Sequence, residues 1–141
     1  MSNYYSLPCR VYYENTDAGG IMYHAQYLHF AERGRTELLR HVGYESSKLK
    51  QEVGVMFVAR YVDIHYYAPA FLDDLLEVRT SIPEIKNSSF TMRQSLFCRK
   101  DDVEEKLAEV MITLVCVNAN TIKPVRVPDE LREAFKEFIE E

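Results

Sequence analysis

The order of helical and strand-like segments constrains the fold of this chain more than any other feature. Tyr23, Tyr27, Phe30, Gly34, Leu38 and His41 recur at steps of three or four, and Leu28, Ala31, Leu39 and Val42 widen the apolar face. The spacing predicts a well-buried helix from about Met22, with Gly43 as its natural stop. Gly34 on this stripe would let the helix sit close to a sheet, a reason to keep Gly despite about 1 kcal/mol of lost helix propensity. Beyond the helix the pattern changes. Residues 55–67, 75–84, 90–99 and 107–117 read as strands, with turn signals at residues 86–89 and 100–102 and with Pro69 ending the first. Residues 4–13 read as a leading strand, 123–127 as a short terminal strand, and 45–52 as a short second helix. Residues 129–141 read as an amphipathic tail helix, whose Asp129 and Glu130 suit the positive end of a helix dipole. Helix and strands are thus segregated, which argues an α+β fold in which an antiparallel sheet curves around one helix. An uncovered sheet edge would remain, and a dimer pairing edge to edge is the expectation.

The 141 residues suit one domain, 1–141, and a hydrophobic content of 47% supports a packed interior. A net charge of -5 without a basic excess argues against nucleic acid as the partner. Cys9, Cys98 and Cys116 form an odd set without a C-x-x-C pair, which fits free thiols in a reducing cytoplasm better than disulfides or a zinc ribbon. Residues 1–6 lack the basic start and apolar run of a signal peptide. No apolar run approaches the roughly 20 residues of a membrane span.

The familiar catalytic signatures are missing: no G-x-S-x-G, no phosphate-binding glycine loop, no H-E-x-x-H. His24 and His29 stand five positions apart, which separates them around a helix, and no metal site is expected. Chemistry concentrates in residues 12–35, YYENTDAGGIMYHAQYLHFAERGR. Asp17 falls in a Gly-containing loop just before the helix, followed by Tyr23 and His24. No side chain directly before Met22 caps the helix, so its first N–H groups are free to receive an oxygen. A carbonyl seated there would be polarised, and a nearby carboxylate could attack it or activate water. Asp17 has a second reading, as N-cap of a helix starting at Ala18. His24 and the tyrosines are equally compatible with core packing, and Glu32 and Arg35 with a helix-surface pair.

The pattern Y-x-N-T-D-x-x-G-x-x-Y-H-x-x-Y-L-x-F-x-E-x-x-R over residues 13–35 resembles the 4-hydroxybenzoyl-CoA thioesterase family of hot-dog proteins. Within it, the resemblance points to the branch of bacterial acyl-CoA thioesterases associated with the Tol-Pal system. YYAPAFLDDLLEV at residues 66–78 resembles the second block of that family. The resemblance implies an antiparallel sheet wrapped around one long central helix, assembled as a homodimer or homotetramer. It implies metal-independent hydrolysis of acyl-CoA, with no cofactor beyond the coenzyme A of the substrate. Asp17 matches the catalytic aspartate, as nucleophile or general base, and His24 and Tyr13 match residues implicated in this branch. Tyr23 is placed with the substrate-binding residues. Lys86, Asn87, Ser88 and Ser89, with Lys123 and Arg126, match the CoA-phosphate positions, although the family is more basic near residue 87. Pocket length would depend on residues such as Tyr27, Met56, Phe57 and Val58. Acyl carrier protein as the acyl donor, a dehydratase of the same fold (against which the loop carboxylate without a later acid-base histidine argues), or a non-catalytic module binding acyl groups or envelope proteins, are the alternatives.

Overall fold

The computed structural model describes residues 3–140; Met1, Ser2 and Glu141, and with them the first residues of the signal-peptide reading and the end of the expected tail helix, lie outside them. Five strands form one sheet in the order β1-β3-β4-β5-β2, and every neighbouring pair is antiparallel. They are β1 (Tyr5–Arg10), β2 (Val55–Tyr66), β3 (Leu75–Ile85), β4 (Ser89–Lys100) and β5 (Val103–Asn118). Period-two alternation sorts the two faces. On β4, Phe90, Met92, Gln94, Leu96 and Cys98 are buried, while Thr91, Arg93, Ser95 and Phe97 between them are half-buried.

Helix α1 (Gln26–His41) lies against the apolar face. It begins later than the periodicity predicts. Residues 21 and 22 are held extended in bridges to Phe71 and Thr16, and the N–H of Met22 donates to Ala70 O at 2.8 Å and that of Tyr23 to Asn15 O at 2.9 Å. The helix stops where expected. Gly43 adopts φ +95°, and the Tyr44 N–H reaches back to Leu39 O at 2.7 Å.

Gly34 marks the closest approach. A Cβ there would stand 2.8 Å from Val78 Cγ1, 3.0 Å from Gln94 Nε2 and 3.1 Å from Thr80 Oγ1. Apolar clusters flank this crossing: Tyr27, Phe30 and Ala31 meet Leu76, Val78 and Leu96 on one side, and Leu38 and Leu39 meet Phe90, Met92 and Phe135 on the other. Between them sits a buried polar bracket. Gln94 Nε2 donates to Ala31 O at 2.7 Å and to Thr80 Oγ1 at 3.0 Å, and Gln94 Oε1 accepts from Arg35 Nη1 at 2.9 Å. Arg35 thus turns inward to the sheet rather than pairing with Glu32 on the helix surface. Every polar group of Gln94 is satisfied, so removing it strands its partners. Gln94→Leu is expected to destabilise the fold by about 2 kcal/mol. A urea-denaturation midpoint equal to that of the unmodified protein would show that the bracket adds nothing.

Other segments also depart from the sequence pattern. Tyr13 leaves the first strand for a 3-10 turn, Tyr13–Asn15, in which Asn15 Oδ1 accepts the Tyr12 N–H at 2.8 Å. The second helix is one short turn, α2 (Ser46–Lys48), running into a π turn, Leu49–Val53. Residues 123–127 form no strand. Their ladder contact is one isolated bridge, Val117 to Pro124, flanked by Asn118 N–H to Lys123 O and Val125 N–H to Cys116 O at 2.9 Å each, after which the Val127 N–H turns to Asn87 O. The tail helix is α3 (Asp129–Phe135) followed by a 3-10 turn, Lys136–Phe138. All three cysteines are free and buried. Among the described residues no helix is long and apolar enough to cross a membrane.

Candidate active site

Asp17 sits at the head of a tight hairpin. Thr16 bridges Met22, the Asp17 N–H donates to Ile21 O at 2.9 Å, and the Gly20 N–H donates to Asp17 O at 3.1 Å. Gly20 has φ +83°, a conformation that favours glycine. The Asp17 side chain bends back within the turn, its Oδ1 accepting the Gly19 N–H at 2.8 Å. No helix begins at Ala18, which removes the N-cap reading of Asp17. The carboxylate is exposed, so it can meet solvent or a bound molecule without breaking a buried contact.

The hairpin brings Asp17 to the wall of a cleft of about 400 Å³ that it shares with His24. Ile21, Met22, Tyr27 and Tyr66 line the cleft too, with residues 67–69. The N-terminus of α1 lies beside it. Ala25 offers no side-chain cap, and the N–H groups of His24 and Ala25 have no hydrogen-bond acceptor among the described residues. Such unpaired donors, together with the positive end of the helix dipole, favour an oxygen that gains negative charge.

Aromatic side chains hold this corner. The Tyr23 ring lies 4.4 Å from that of His24. Tyr27 and Tyr66 meet edge to face at 5.1 Å. The Tyr27 hydroxyl accepts the Ala70 N–H at 3.1 Å, and the Tyr66 hydroxyl donates to the His24 carbonyl at 2.8 Å. Burial pushes both phenols above the usual tyrosine value, so both keep their protons at neutral pH. Tyr13 does not line the cleft; it is 82% exposed on its 3-10 turn. Sequence reasoning gave Tyr66 no role, although it opens the second resembling block; its contact with residue 24 exists only once β2 is folded.

The residues matched to CoA-phosphate binding gather elsewhere. The turn at residues 86–89 meets the segment after β5: Arg126 Nη1 donates to Asn87 Oδ1 at 2.8 Å, and the Val127 N–H donates to Asn87 O at 2.9 Å. Lys86, Asn87, Lys123 and Arg126 are exposed, Ser88 is half-buried, and Ser89 is buried at 6% exposure. Lys86 is 3.4 Å from Glu84, and Arg126 also holds Asp129. A second cavity of about 340 Å³ opens between α1 and β2, walled by Leu39, Leu49, Met56, Phe57, Phe90 and Leu114, with Glu32 and Arg35 also lining it. Tyr27 belongs to the first cleft instead, and Val58 lines neither.

Known proteins give this geometry its context. The model of the thioesterase-like superfamily matches residues 11–135. The acyl-CoA thioesterase YbgC of Haemophilus influenzae is 41% identical over 135 residues, 96% of each chain. The acyl-CoA thioester hydrolase YbgC of Escherichia coli O6:H1 is 42% identical over 130 residues, 92% of this chain and 94% of that one. A crystal structure of a probable thioesterase from Bartonella henselae superposes with a TM-score of 0.80 at 34% identity, covering 89% of this chain and 99% of that one. A 4-hydroxybenzoyl-CoA thioesterase mutant complexed with 4-hydroxybenzoyl-CoA superposes at 0.89 over 95% of this chain and 99% of that one; at 16% identity, that likeness speaks to the fold alone. Similarity along nearly the whole sequence and superposition of the backbone agree: the chain has the hot-dog fold and belongs to the thioesterase-like superfamily.

Proposed function

We propose that this protein hydrolyses acyl-CoA to a free acid and CoA. The observation that carries the reading is the cleft shared by Asp17 and His24 beside the start of α1, where the His24 and Ala25 N–H groups are unpaired among the described residues. The thioester carbonyl would rest on those N–H groups, which stabilise the tetrahedral oxyanion. Asp17 would either take a proton from the attacking water or attack the carbonyl carbon itself. In the second case water then hydrolyses the mixed anhydride. The CoA sulfur leaves with the bonding pair and is protonated. His24 orients the reacting group, and Tyr23, its ring 4.4 Å from that of His24, supports it; Tyr13, outside the cleft, takes part in no step. No step calls for a metal. The printed activities of the Haemophilus and Escherichia relatives, at 41% and 42% identity, favour acyl-CoA as the substrate class.

The same reading assigns the apolar cavity beside Met56 and Phe57 to the acyl chain and the turn at residues 86–89, with Lys123 and Arg126, to the nucleotide. These parts are distant within one chain. Tyr66 pairs with Ala108 and Ser89 with Val115, opposite ends of a β5 stretch of roughly 20 Å at about 3.3 Å per residue. Pairing of two β2 edges in antiparallel sense would reverse one chain against the other and bring the nucleotide turn of each towards the Asp17 cleft of its partner. The long edge of β2, with Tyr61, Val62 and Tyr66 exposed, supports such a homodimer. In that assembly each chain, one domain over 1–141, curls its sheet around α1 as the central helix. Its free thiols suit the cytoplasm.

Thiol release measured over short, long and aromatic acyl-CoAs, with matched acyl carrier protein thioesters alongside, tests the reading. CoA and free acid are expected in equal amounts from at least one acyl-CoA class. Tight acyl-CoA binding without release across the panel would leave a binding module instead.

A further inference from the structure

The start of α1 lacks the usual means of holding its first residues. No side chain caps its backbone; upstream, the Tyr23 N–H donates to Asn15 O, the Gln26 N–H to Tyr23 O and Asn15 Nδ2 to Gln26 Oε1, each at 2.9 Å. Downstream, the His24 carbonyl accepts no backbone N–H among the described residues. The Leu28 N–H, which a full helical turn would aim at it, goes to Ala25 O at 3.2 Å. The Tyr66 hydroxyl takes that place at 2.8 Å. Tyr66 is the last residue of β2, held in register opposite Ala108, and its ring is braced edge-on by Tyr27, whose hydroxyl is itself engaged by Ala70 N–H. A sheet residue therefore fixes the stretch of backbone that offers the free N–H groups of His24 and Ala25.

We infer that Tyr66 is a positioning residue for hydrolysis: by holding the His24 carbonyl it sets the His24 and Ala25 N–H groups where the thioester carbonyl is polarised. The inference rests on the reading of that place as the carbonyl seat. A carbonyl that accepts a strong hydrogen bond also makes its own peptide N–H, here that of Ala25, a better donor. Tyr66 acts through these groups, so its effect should be smaller than the loss of a direct oxyanion donor.

Tyr66→Phe removes a single oxygen and keeps the ring against Tyr27. It is expected to lower kcat about tenfold and to leave KM for acyl-CoA within about twofold, because the interaction lost matters in the transition state. Loss of packing alone would lower the melting temperature and move neither ratio in that way. The second readout is the C=O stretch of a carbonyl-¹³C acyl-CoA bound to the slow Asp17→Asn protein. Hydrogen bonding lowers this frequency below that of the free thioester, and adding Tyr66→Phe is expected to return it towards the free value. A stretch that Tyr66→Phe leaves in place overturns the role of Tyr66, whatever kcat does. No lowering in Asp17→Asn itself would instead remove the carbonyl seat, and the inference with it.

Discussion

Asp17→Asn is expected to lower kcat for acyl-CoA hydrolysis about a thousandfold while leaving the fold and KM nearly unchanged. The exchange replaces one carboxylate oxygen by an amide nitrogen of the same shape. The remaining Oδ1 still accepts the Gly19 N–H, as it does now at 2.8 Å. The hairpin itself is tied by backbone bonds, Asp17 N–H to Ile21 O and Gly20 N–H to Asp17 O, which no side chain supplies. Residue 17 is exposed, so burial energy is not at stake, and stability should move by no more than about 0.5 kcal/mol. What disappears is the lone pair able to accept a proton or bond to the carbonyl carbon, since an amide is a poor base and a poor nucleophile. Steady-state kinetics and a thermal melt on the same preparation check both halves. Turnover within threefold of the unmodified protein would remove Asp17 from the chemistry on either mechanism.

The second large effect concerns stability. Gly34→Val is expected to cost about 3 kcal/mol, a sizeable part of the roughly 5–15 kcal/mol that holds a domain of this size together. The first added carbon already falls 2.8 Å from Val78 Cγ1, inside van der Waals contact, and the neighbouring Gln94 and Thr80 atoms belong to the satisfied bracket. Val78 is β-branched and stiff at χ1, so it cannot swing aside. The helix must lift instead, which loosens the buried contacts of Phe30 and Leu38 on either side of the crossing. Helix propensity alone favours valine over glycine by a few tenths of a kcal/mol, so the two effects have opposite signs and packing should win. Guanidinium or urea unfolding reads the outcome directly. A variant at least as stable as the unmodified protein would show that the helix does not press on the sheet at residue 34.

Much of this architecture could be read from local pattern. Strands β3 and β4 fall within a residue of the stretches that their alternation predicts, and the helix ends at Gly43 as its left-handed backbone requires. The stripe through Gly34 foretold a close crossing because a missing Cβ is a local fact with one common use. Asp17 stood out for a similar reason: a carboxylate in a glycine-containing turn ahead of a helix is visible without knowing what surrounds it.

Other features depended on partners far away in the chain. The helix does not start at Met22 because residues 21 and 22 are held extended in bridges to Phe71 and Thr16. Arg35, on sequence spacing alone a partner for Glu32, turned to Gln94 once β4 lay beneath it. Residues 123–127 follow β5 for one bridge and then leave it, because the Val127 N–H is drawn to Asn87 O at 2.9 Å in a turn far away in the chain. Residue types and their spacing thus determined which segments were helix or strand and where the reactive carboxylate sat in the chain. Folding alone decided that the hydroxyl of Tyr66 should meet the carbonyl of His24, because a hydrogen bond needs its two atoms within about 3 Å and periodicity carries no information on distance between separate segments.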